Sequence, residues 1–421
     1  MEECNTRQTM TLHPAYVERM SRFEDAVACR EKGRVVVAPQ ILYLPIFLYG
    51  KTTVQAVMED YTNAYESWIN YHHEYQPDLA WGVQSIFSSS FLSILGCNFV
   101  KWPGRHFENP NMGFQVIDAE YMSQEEYVPF AEDPTGFILR KILPRHYKNL
   151  NGLRNIDLSN LLYMDSMNEV MNFASQQVQD SMETLFSASQ IAVSATKANT
   201  LLMDELAQQG WPAASEYVVQ APYDMFSDTL RGLLNTSMDM YDCPDELLLA
   251  IEAAQRLQVG QILAHMRKNP TRCVYFYLHS GMDEFMSTEQ FERFYWPGLK
   301  ACIQAVNRMG GVSKIYTQGN MEKKLDILRD VPQGSAIYYF TGTNLKKAKQ
   351  KLGGHVCIAG GVDGVLLLQG TPKQVVWDVR EVLDTCMPGG GYLLDTTVQL
   401  DNARPENLHA LFDTAFKYGV Y

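Results

Sequence analysis

The segment "RCVYFYLHSGMDEFMSTEQFERFYWPGLKACIQAVNRMGG", residues 272–311, indicates the fold class of this chain. It begins with a run of aromatic and β-branched residues, VYFYL, which is typical of a buried strand. Ser287 and, three residues later, Gln290 form a predicted capping box where a helix begins, and Gly310-Gly311 end that helix. The apolar positions between these signals recur at helical spacing. The segment therefore predicts a strand followed by an amphipathic helix.

The same strand–helix unit recurs along the C-terminal half. Asn344 is a good helix cap, and Thr371 with Gln374 repeats the capping box. Strands that alternate with helices predict a parallel sheet. Together with candidates in the N-terminal half the chain offers about eight strands, the number that closes a TIM (β/α)8 barrel of the α/β class. The candidates are RVVVAPQ (34–40), DLAWGVQS (78–85), EYVVQAPYD (216–224), RCVYFYLHSG (272–281), KIYTQGN (314–320), SAIYYF (335–340), HVCIAGG (355–361) and YLLDTT (392–397).

The remaining segments fit a single domain over residues 1–421. Residues 1–30 are predicted to be a helical extension, and 97–210 an insertion or cap region. Within it, "FQVIDAEYM" (114–122) predicts a hairpin. No glycine or proline occurs between Gly152 and Gly210, so this segment should be helical. It either caps the barrel mouth or joins the outer helix layer.

Composition excludes several classes of function. The net charge is −13 and there is no basic run, so we expect no nucleic-acid partner. The most apolar stretch near the N-terminus, residues 35–50, is interrupted by Pro39, Gln40 and Pro45 and is too short to span a bilayer. The first twenty residues lack the apolar segment of a signal peptide. The eight cysteines are scattered without a C-x-x-C pair. We therefore expect a cytoplasmic protein with no membrane partner.

Polar residues at predicted strand ends are the candidate site, because TIM-barrel chemistry lies at the carboxyl ends of the strands. His279 is the strongest candidate for a catalytic residue. It acts either as a general acid or base, or it is a structural histidine that is hydrogen-bonded at the rim of the barrel. Asp283 orients His279 or binds a cation, or it caps the following turn. The predicted substrate-binding residues are Gln40, Gln84, Tyr223, Asp224, Tyr316, Gln318, Asn320 and Asp363.

Among the predicted substrate-binding residues, the two loop amides and Asp363 also have an alternative interpretation. Gln318 and Asn320 offer neutral donors and acceptors that suit a pterin, an amide or a phenolic ether, or they satisfy their own loop. Asp363 either accepts a hydrogen bond from substrate or forms an Asx turn.

Several segments resemble the uroporphyrinogen decarboxylase superfamily. The resemblance covers residues 30–421 and is strongest in "LHSGMDEFMSTEQFERFYWPGLKACI" (278–303), "GGHVCIAGGVDGVLLLQGTPKQVV" (353–376) and "GGGYLLDTTVQLDNARPENLHAL" (389–411). It implies a TIM barrel and a homodimer. It also implies one of two activities: decarboxylation of uroporphyrinogen, or methyl transfer between corrinoid proteins and thiols or folates.

The chain departs from both of the family's known sites. The decarboxylases carry an R-Q-A-G-R loop, but the corresponding "VAPQILYLPIF" (37–47) has no arginine, and a net charge of −13 would repel a substrate with eight carboxylates. The zinc methyltransferases use His-x-Cys and a later cysteine, where this chain has Tyr316, Gln318 and Thr396-Thr397. We therefore expect no metal. His355-x-Cys357 has a ligand spacing, but it begins its strand rather than ending it.

The hypothesis that remains is a methyltransferase or demethylase component that moves a methyl group between a small molecule and a corrinoid protein or folate. No tightly bound cofactor is expected, since a corrinoid would arrive on a partner protein and tetrahydrofolate would bind as a substrate. The alternatives are a decarboxylase or lyase for a small carboxylated substrate and a non-catalytic binding homologue. All three functions are compatible with a TIM barrel, so only the site residues can distinguish between these hypotheses.

Overall fold

Parallel strands form the wall of the barrel. The structure, a computed structural model, describes residues 12–83, 86–158, 161 and 166–421. Seven strands pair in parallel in the order β1-β9-β8-β7-β6-β5-β4, and β2 pairs with β3 in a separate antiparallel hairpin. The strands are β1 Val36–Val37, β2 Val100–Lys101, β3 Gln115–Val116, β4 Tyr217–Gln220, β5 Cys273–Leu278, β6 Val312–Thr317, β7 Ala336–Phe340, β8 Cys357–Val362 and β9 Tyr392–Thr396. This architecture confirms the predicted TIM-type α/β fold.

The eighth position of the ring, between β1 and β4, is held by an irregular segment. The Asp78 N–H donates to the carbonyl of Val37 (2.8 Å), and Ala80 exchanges hydrogen bonds with Pro212 and Ala214 just before β4 (2.7 and 2.8 Å). The predicted strand over 78–85 is therefore wrong in its described part, where only a single bridge forms. The reason is that the Asp78 carboxylate, rather than the backbone, accepts from the Val37 N–H (2.7 Å).

Helices cover the outer face, and the predicted caps are confirmed. Ser287 with Gln290 and Thr371 with Gln374 form complete capping boxes, and Asn344 accepts from the N–H of Lys347. No helix in the described ranges is both long enough and apolar enough to cross a membrane. The α-helices are Pro14–Val27, Leu44–Tyr49, Val54–Glu59, Tyr65–Tyr75, Ser89–Leu95, Tyr127–Glu132, Pro134–Phe137, Leu143–His146, Ser166–Met171, Gln176–Gln208, Pro222–Asp224, Leu233–Asp242, Pro244–Lys268, Thr288–Gln290, Trp296–Arg308, Leu325–Leu328, Leu345–Leu352, Gly364–Gln369, Pro372–Cys386 and Pro405–Tyr418. The 3₁₀ segments are Tyr61–Ala64, Gln124–Glu126, Lys148–Asn155, Asn172–Ala174 and Glu322–Lys324, and the π-helical turns are Ile138–Ile142, Met225–Leu230 and Phe291–Tyr295.

The inserted region contains the predicted hairpin and helix. Strand β3 begins within the predicted hairpin segment, and its partner is β2, fifteen residues earlier in the chain. The long helix Gln176–Gln208 packs on the segment Lys148–Asn155 and on the helix Ser89–Leu95. Its Asn199 side chain also accepts from the N–H of Val83 (2.9 Å). The contacts found for this helix are thus with outer elements and with the chain after the eighth ring position.

A buried ion pair lies inside the barrel. Lys314 Nζ on β6 is 3.2 Å from Asp395 Oδ2 on β9, and each side chain is 1% exposed. The same Nζ lies 4.6 Å from the ring centre of Trp81, a cation–π distance. The other carboxylate oxygen of Asp395 accepts from the backbone N–H groups of Gln40 (2.8 Å) and Thr396 (2.9 Å). Both charges therefore have polar partners, as buried charges require.

Candidate active site at the carboxyl ends of the strands

His279 and Asp228 form a hydrogen-bonded dyad at the mouth of the barrel. His279 directly follows β5, and its Nδ1 lies 2.7 Å from Asp228 Oδ2. Asp228 belongs to the π-helical turn Met225–Leu230 that follows β4, and it also accepts from Gln220 Nε2 (3.1 Å). The His279 side chain is 43% exposed, and no described residue hydrogen-bonds its Nε2 atom. The dyad thus orients the imidazole, and Nε2, which has no hydrogen-bond partner among the described residues, is left available to a ligand.

Asp224 supports this dyad from beneath. Its Oδ2 accepts from the backbone N–H of His279 (3.1 Å) and from the Tyr295 hydroxyl (2.5 Å). Its Oδ1 accepts from the N–H of Ser280 (3.3 Å), and the hydroxyl oxygens of Ser227 and Ser280 are 2.6 Å apart. Asp224 is completely buried, so it positions the end of β5 rather than lining the open mouth.

The charges of the three groups are coupled. Burial, followed by the charge of Asp228, raises the pKa of Asp224 above its ordinary value, although His279 and Tyr295 oppose the shift. Burial alone would lower the pKa of His279. The hydrogen bond and charge of Asp228, with the charge of Asp224, outweigh burial and raise that pKa above its ordinary value. His279 therefore holds its proton to a higher pH than an isolated histidine does.

Two tyrosines, Tyr277 and Tyr316, lie next to His279 inside the barrel. Tyr277 on β5 lies opposite Tyr316 on β6, with ring centres 5.7 Å apart. The ring of Tyr277 also stacks on that of His279 (6.2 Å between centres, 24° between planes). Both tyrosines are half-buried, and burial raises the pKa of Tyr316 to about 12. Gln318, two residues beyond Tyr316 and just past the end of β6, is exposed.

Comparison with known proteins identifies the family. A sequence model described as Uroporphyrinogen decarboxylase (URO-D) matches residues 187–418, more than half of the chain. The chain belongs to the URO-D family. The predicted superfamily is thereby confirmed.

One solved structure has the same fold as this URO-D family member, and a second matches only part of it. A methyltransferase from Methanosarcina mazei has a TM-score of 0.60 and 14% identity, covering 95% of this chain and 98% of that chain. A B12-independent methionine synthase from Shewanella sp. W3-18-1, in complex with selenomethionine, has a TM-score of 0.32 and 12% identity, covering 48% of this chain and 60% of that chain. No curated protein matches the chain.

Asp283 lies outside the dyad of this URO-D protein. Its Oδ1 accepts from Lys324 Nζ (2.9 Å) and its Oδ2 from the N–H of Lys323 (3.1 Å), and its own N–H donates to the carbonyl of Asn320 (2.7 Å). These bonds go to the loop after β6 rather than to the turn that follows Asp283, so they match neither the orienting nor the capping alternative. The carboxylate that hydrogen-bonds to His279 is that of Asp228. Asp283 therefore ties the loop after β5 to the loop after β6.

The loop after β6 is held by hydrogen bonds within itself and to neighbouring strand ends, and the Gln318 N–H donates to the carbonyl of Leu278 (3.1 Å). Gly319 has a φ of +74°, which favours glycine, and its N–H donates to Thr341 Oγ1 (3.1 Å). The Asn320 side chain accepts from the N–H of Glu322 (3.0 Å), which matches loop self-satisfaction. Gln318 alone of the two predicted amides stays exposed to a ligand.

Other predicted residues lie away from the dyad or deeper in the barrel. Asp363 Oδ1 accepts from the N–H of Val365 (2.8 Å), the Asx-turn alternative. Tyr223 is buried against Tyr295 (5.4 Å between ring centres). Gln40 is buried inside the barrel. Gln84 lies outside the described residues.

Three contributors were not predicted from the sequence: Asp228, Gln220 and Tyr277. Asp224 and Asp228 are four residues apart, the spacing of neighbours on one face of a helical turn. Tyr277 precedes His279 by two residues, so both side chains point to the same side of the strand. These spacings were the available signals.

The residues at the positions of the family's zinc ligands are not zinc ligands in this chain. Tyr316 and Gln318 offer no soft ligand, and buried Thr396 already donates its hydroxyl to the carbonyl of Val398 (2.6 Å), so these positions do not fit zinc. Single ligand atoms of Asp224, Asp228 and His279 lie within 4.8 Å of one another, so this set could hold a divalent cation instead. Each already has a hydrogen-bond partner within the set or beside it.

The alternative ligand pair, His355 and Cys357, lies at the opposite end of the barrel. His355 Nε2 is 2.7 Å from the carbonyl of Val331, and buried Cys357 begins β8. His279 follows the carboxyl end of β5 and these residues precede or begin β8, so they do not share its mouth.

Proposed function

We propose that this protein is a methyltransferase that removes a methyl group from an oxygen or nitrogen of a small molecule, with His279 as the general acid. The observation that carries the proposal is the 2.7 Å contact between His279 Nδ1 and Asp228 Oδ2, made by an imidazole whose side chain is partly exposed. A general acid must hold a proton near neutral pH and place it within reach of the leaving atom. The raised pKa of His279 and its exposure meet these two requirements.

The reaction balances without a bound metal. The electron pair of the acceptor's nucleophilic atom forms a bond to the methyl carbon while the bond from that carbon to the substrate oxygen or nitrogen breaks. The electrons of the broken bond stay on the leaving atom, which takes the proton from His279 Nε2. His279 is then neutral and regains a proton from water, which Asp228 favours electrostatically.

The methyl acceptor is a second substrate. A corrinoid carried by a separate protein, or a folate, fits the methyl-transfer branch that the family resemblance implies. Uroporphyrinogen is not proposed, because residues 37–47 contain no arginine to pair with its carboxylates. The similarity to a methyltransferase structure supports only the barrel fold. Support for proton transfer to the leaving atom comes from the His279–Asp228 dyad.

Anaerobic absorbance spectroscopy tests the proposal. The protein is mixed with methylcob(III)alamin and either tetrahydrofolate or a simple thiol, and in the reverse direction with cob(I)alamin and a methyl donor. Interconversion of the two cobalamin spectra that depends on the protein supports methyl transfer and identifies the acceptor class. Absence of conversion in both directions, also with a corrinoid carrier protein present, contradicts it.

The pH dependence of methyl transfer tests the role of the dyad. Because the acid must be protonated, kcat/KM is expected to fall as the pH rises through the raised pKa of His279. Asp228→Asn removes the charge that raises this pKa, so the descending limb should move to lower pH by about 1 unit. A matched control is Asp245→Asn, an exposed partner of Arg293. An unshifted limb in Asp228→Asn would contradict the assignment.

A further inference from the structure

The Tyr277 hydroxyl oxygen accepts two hydrogen bonds, but its own proton has no acceptor among the described residues. It accepts hydrogen bonds from Gln40 Nε2 (3.3 Å) and Gln399 Nε2 (3.1 Å). The Gln40 amide is held in this orientation because its Oε1 accepts from the Tyr275 hydroxyl (2.6 Å). A tyrosine hydroxyl has one proton to donate, and no described residue accepts the proton of Tyr277. It is therefore a prepared donor for a ligand.

Tyr277 and His279 lie on the same side of β5. They are two residues apart on β5, so their side chains point to the same side of the strand. Their rings are nearly parallel, 24° apart, and both residues are partly exposed. The Tyr316 ring stands across from Tyr277 at 5.7 Å and supplies a second aromatic surface. The mouth thus combines two polar donors with aromatic walls.

We infer that Tyr277 and His279 together donate to the oxygen of an aryl methyl ether, and that the phenol left after demethylation binds at the same place. This inference rests on the proposed function and names its substrate class. An oxygen on a ring can accept from two donors while the ring packs against Tyr277 and Tyr316. Two donors would also stabilise the negative charge that develops on a leaving phenolate oxygen. An N-methyl donor would present fewer lone pairs to this pair of donors.

The binding of 4-nitrophenol tests this inference without any methyl transfer. The phenolate form of this probe is coloured, so absorbance reports both its binding and its ionisation. The wild-type protein is expected to bind 4-nitrophenol more tightly than nitrobenzene, which lacks the oxygen. Tyr277→Phe should weaken 4-nitrophenol binding roughly 10- to 100-fold, the usual range for a hydrogen bond to a charged group.

Comparison of the two probes separates a lost donor from a damaged fold. Tyr277→Phe should leave nitrobenzene binding almost unchanged, and so the preference for 4-nitrophenol should shrink. Tyr241→Phe, at a tyrosine that is 76% exposed, is the matched control and should alter neither affinity. Equal binding of the two probes by wild type, or an unchanged preference in Tyr277→Phe, would overturn the inference. Because no acceptor is present, phenol binding can succeed where methyl transfer fails, and the two proposals remain distinguishable.

Discussion

His279→Gln is expected to lower kcat for methyl transfer roughly 10²- to 10⁴-fold, the range that general acid catalysis contributes. Glutamine keeps a hydrogen-bonding side chain at the end of β5 but cannot transfer a proton to the leaving atom. The backbone N–H of residue 279 still donates to Asp224, so the strand end should keep its geometry. Substrate affinity should therefore change much less than turnover. Steady-state kinetics with the methyl donor, together with thermal unfolding, measure both.

His409→Gln is the matched control for this substitution. His409 Nε2 lies 3.2 Å from Glu74 Oε1, and its side chain is 50% exposed. It belongs to the closing helix Pro405–Tyr418, far from β5 in the sequence. Its replacement should leave kcat unchanged. Unaltered turnover in His279→Gln would remove His279 from the chemistry, and an equal loss in both variants would point to a general effect on the fold.

The sequence predicted the barrel well because its signals are local. Capping residues such as Ser287 and Thr371, and the alternation of apolar strands with amphipathic helices, are read within a dozen residues. His279 was identified for the same reason, since it directly follows an apolar strand. The segment after Pro77 was mispredicted because its ring contact depends on Asp78, whose side chain replaces a backbone ladder bond. Such a substitution is a tertiary feature with no periodic signature.

Asp283, one alternative for the group that orients His279, does not contact it, for a related reason. Asp283 is close in sequence, but the loop turns it toward Lys324, and the orienting carboxylate comes from another strand–helix connection. Asp228 reaches His279 because the chain after β4 forms a wide helical turn, whose geometry depends on packing rather than on sequence pattern. Strand ends are thus predictable from sequence, whereas the side chains that meet above them are not.

A chain of hydrogen bonds connects the Tyr277 hydroxyl to the polar groups inside the barrel. Gln40 donates from its side chain to Tyr277, and its backbone N–H donates to Asp395, the partner of Lys314. The orientation of the Tyr277 hydroxyl is therefore linked to a buried ion pair one layer below. Because the ion pair lies in the barrel core, its disruption should affect stability before it affects chemistry.

Lys314→Met is expected to lower the free energy of unfolding by about 3–5 kcal/mol, because it leaves Asp395 as an uncompensated buried charge. Both side chains are 1% exposed, so water cannot replace the lost partner. Lys351→Met is the control, since its partner Asp326 is 74% exposed at the surface, and it should cost less than about 1 kcal/mol. Chemical denaturation monitored by circular dichroism compares the two variants.

The double variant Lys314→Met with Asp395→Asn distinguishes a charge effect from lost packing. Asparagine at 395 keeps an oxygen that can accept from the N–H groups of Gln40 and Thr396, and it carries no charge. If the cost of Lys314→Met comes from the unpaired carboxylate, the double variant should recover a large part of it, with a coupling of about 2 kcal/mol or more between the sites. If the methionine instead disturbs the packing against Trp81 and Tyr339, the two costs should simply add. Additivity would therefore contradict the electrostatic explanation.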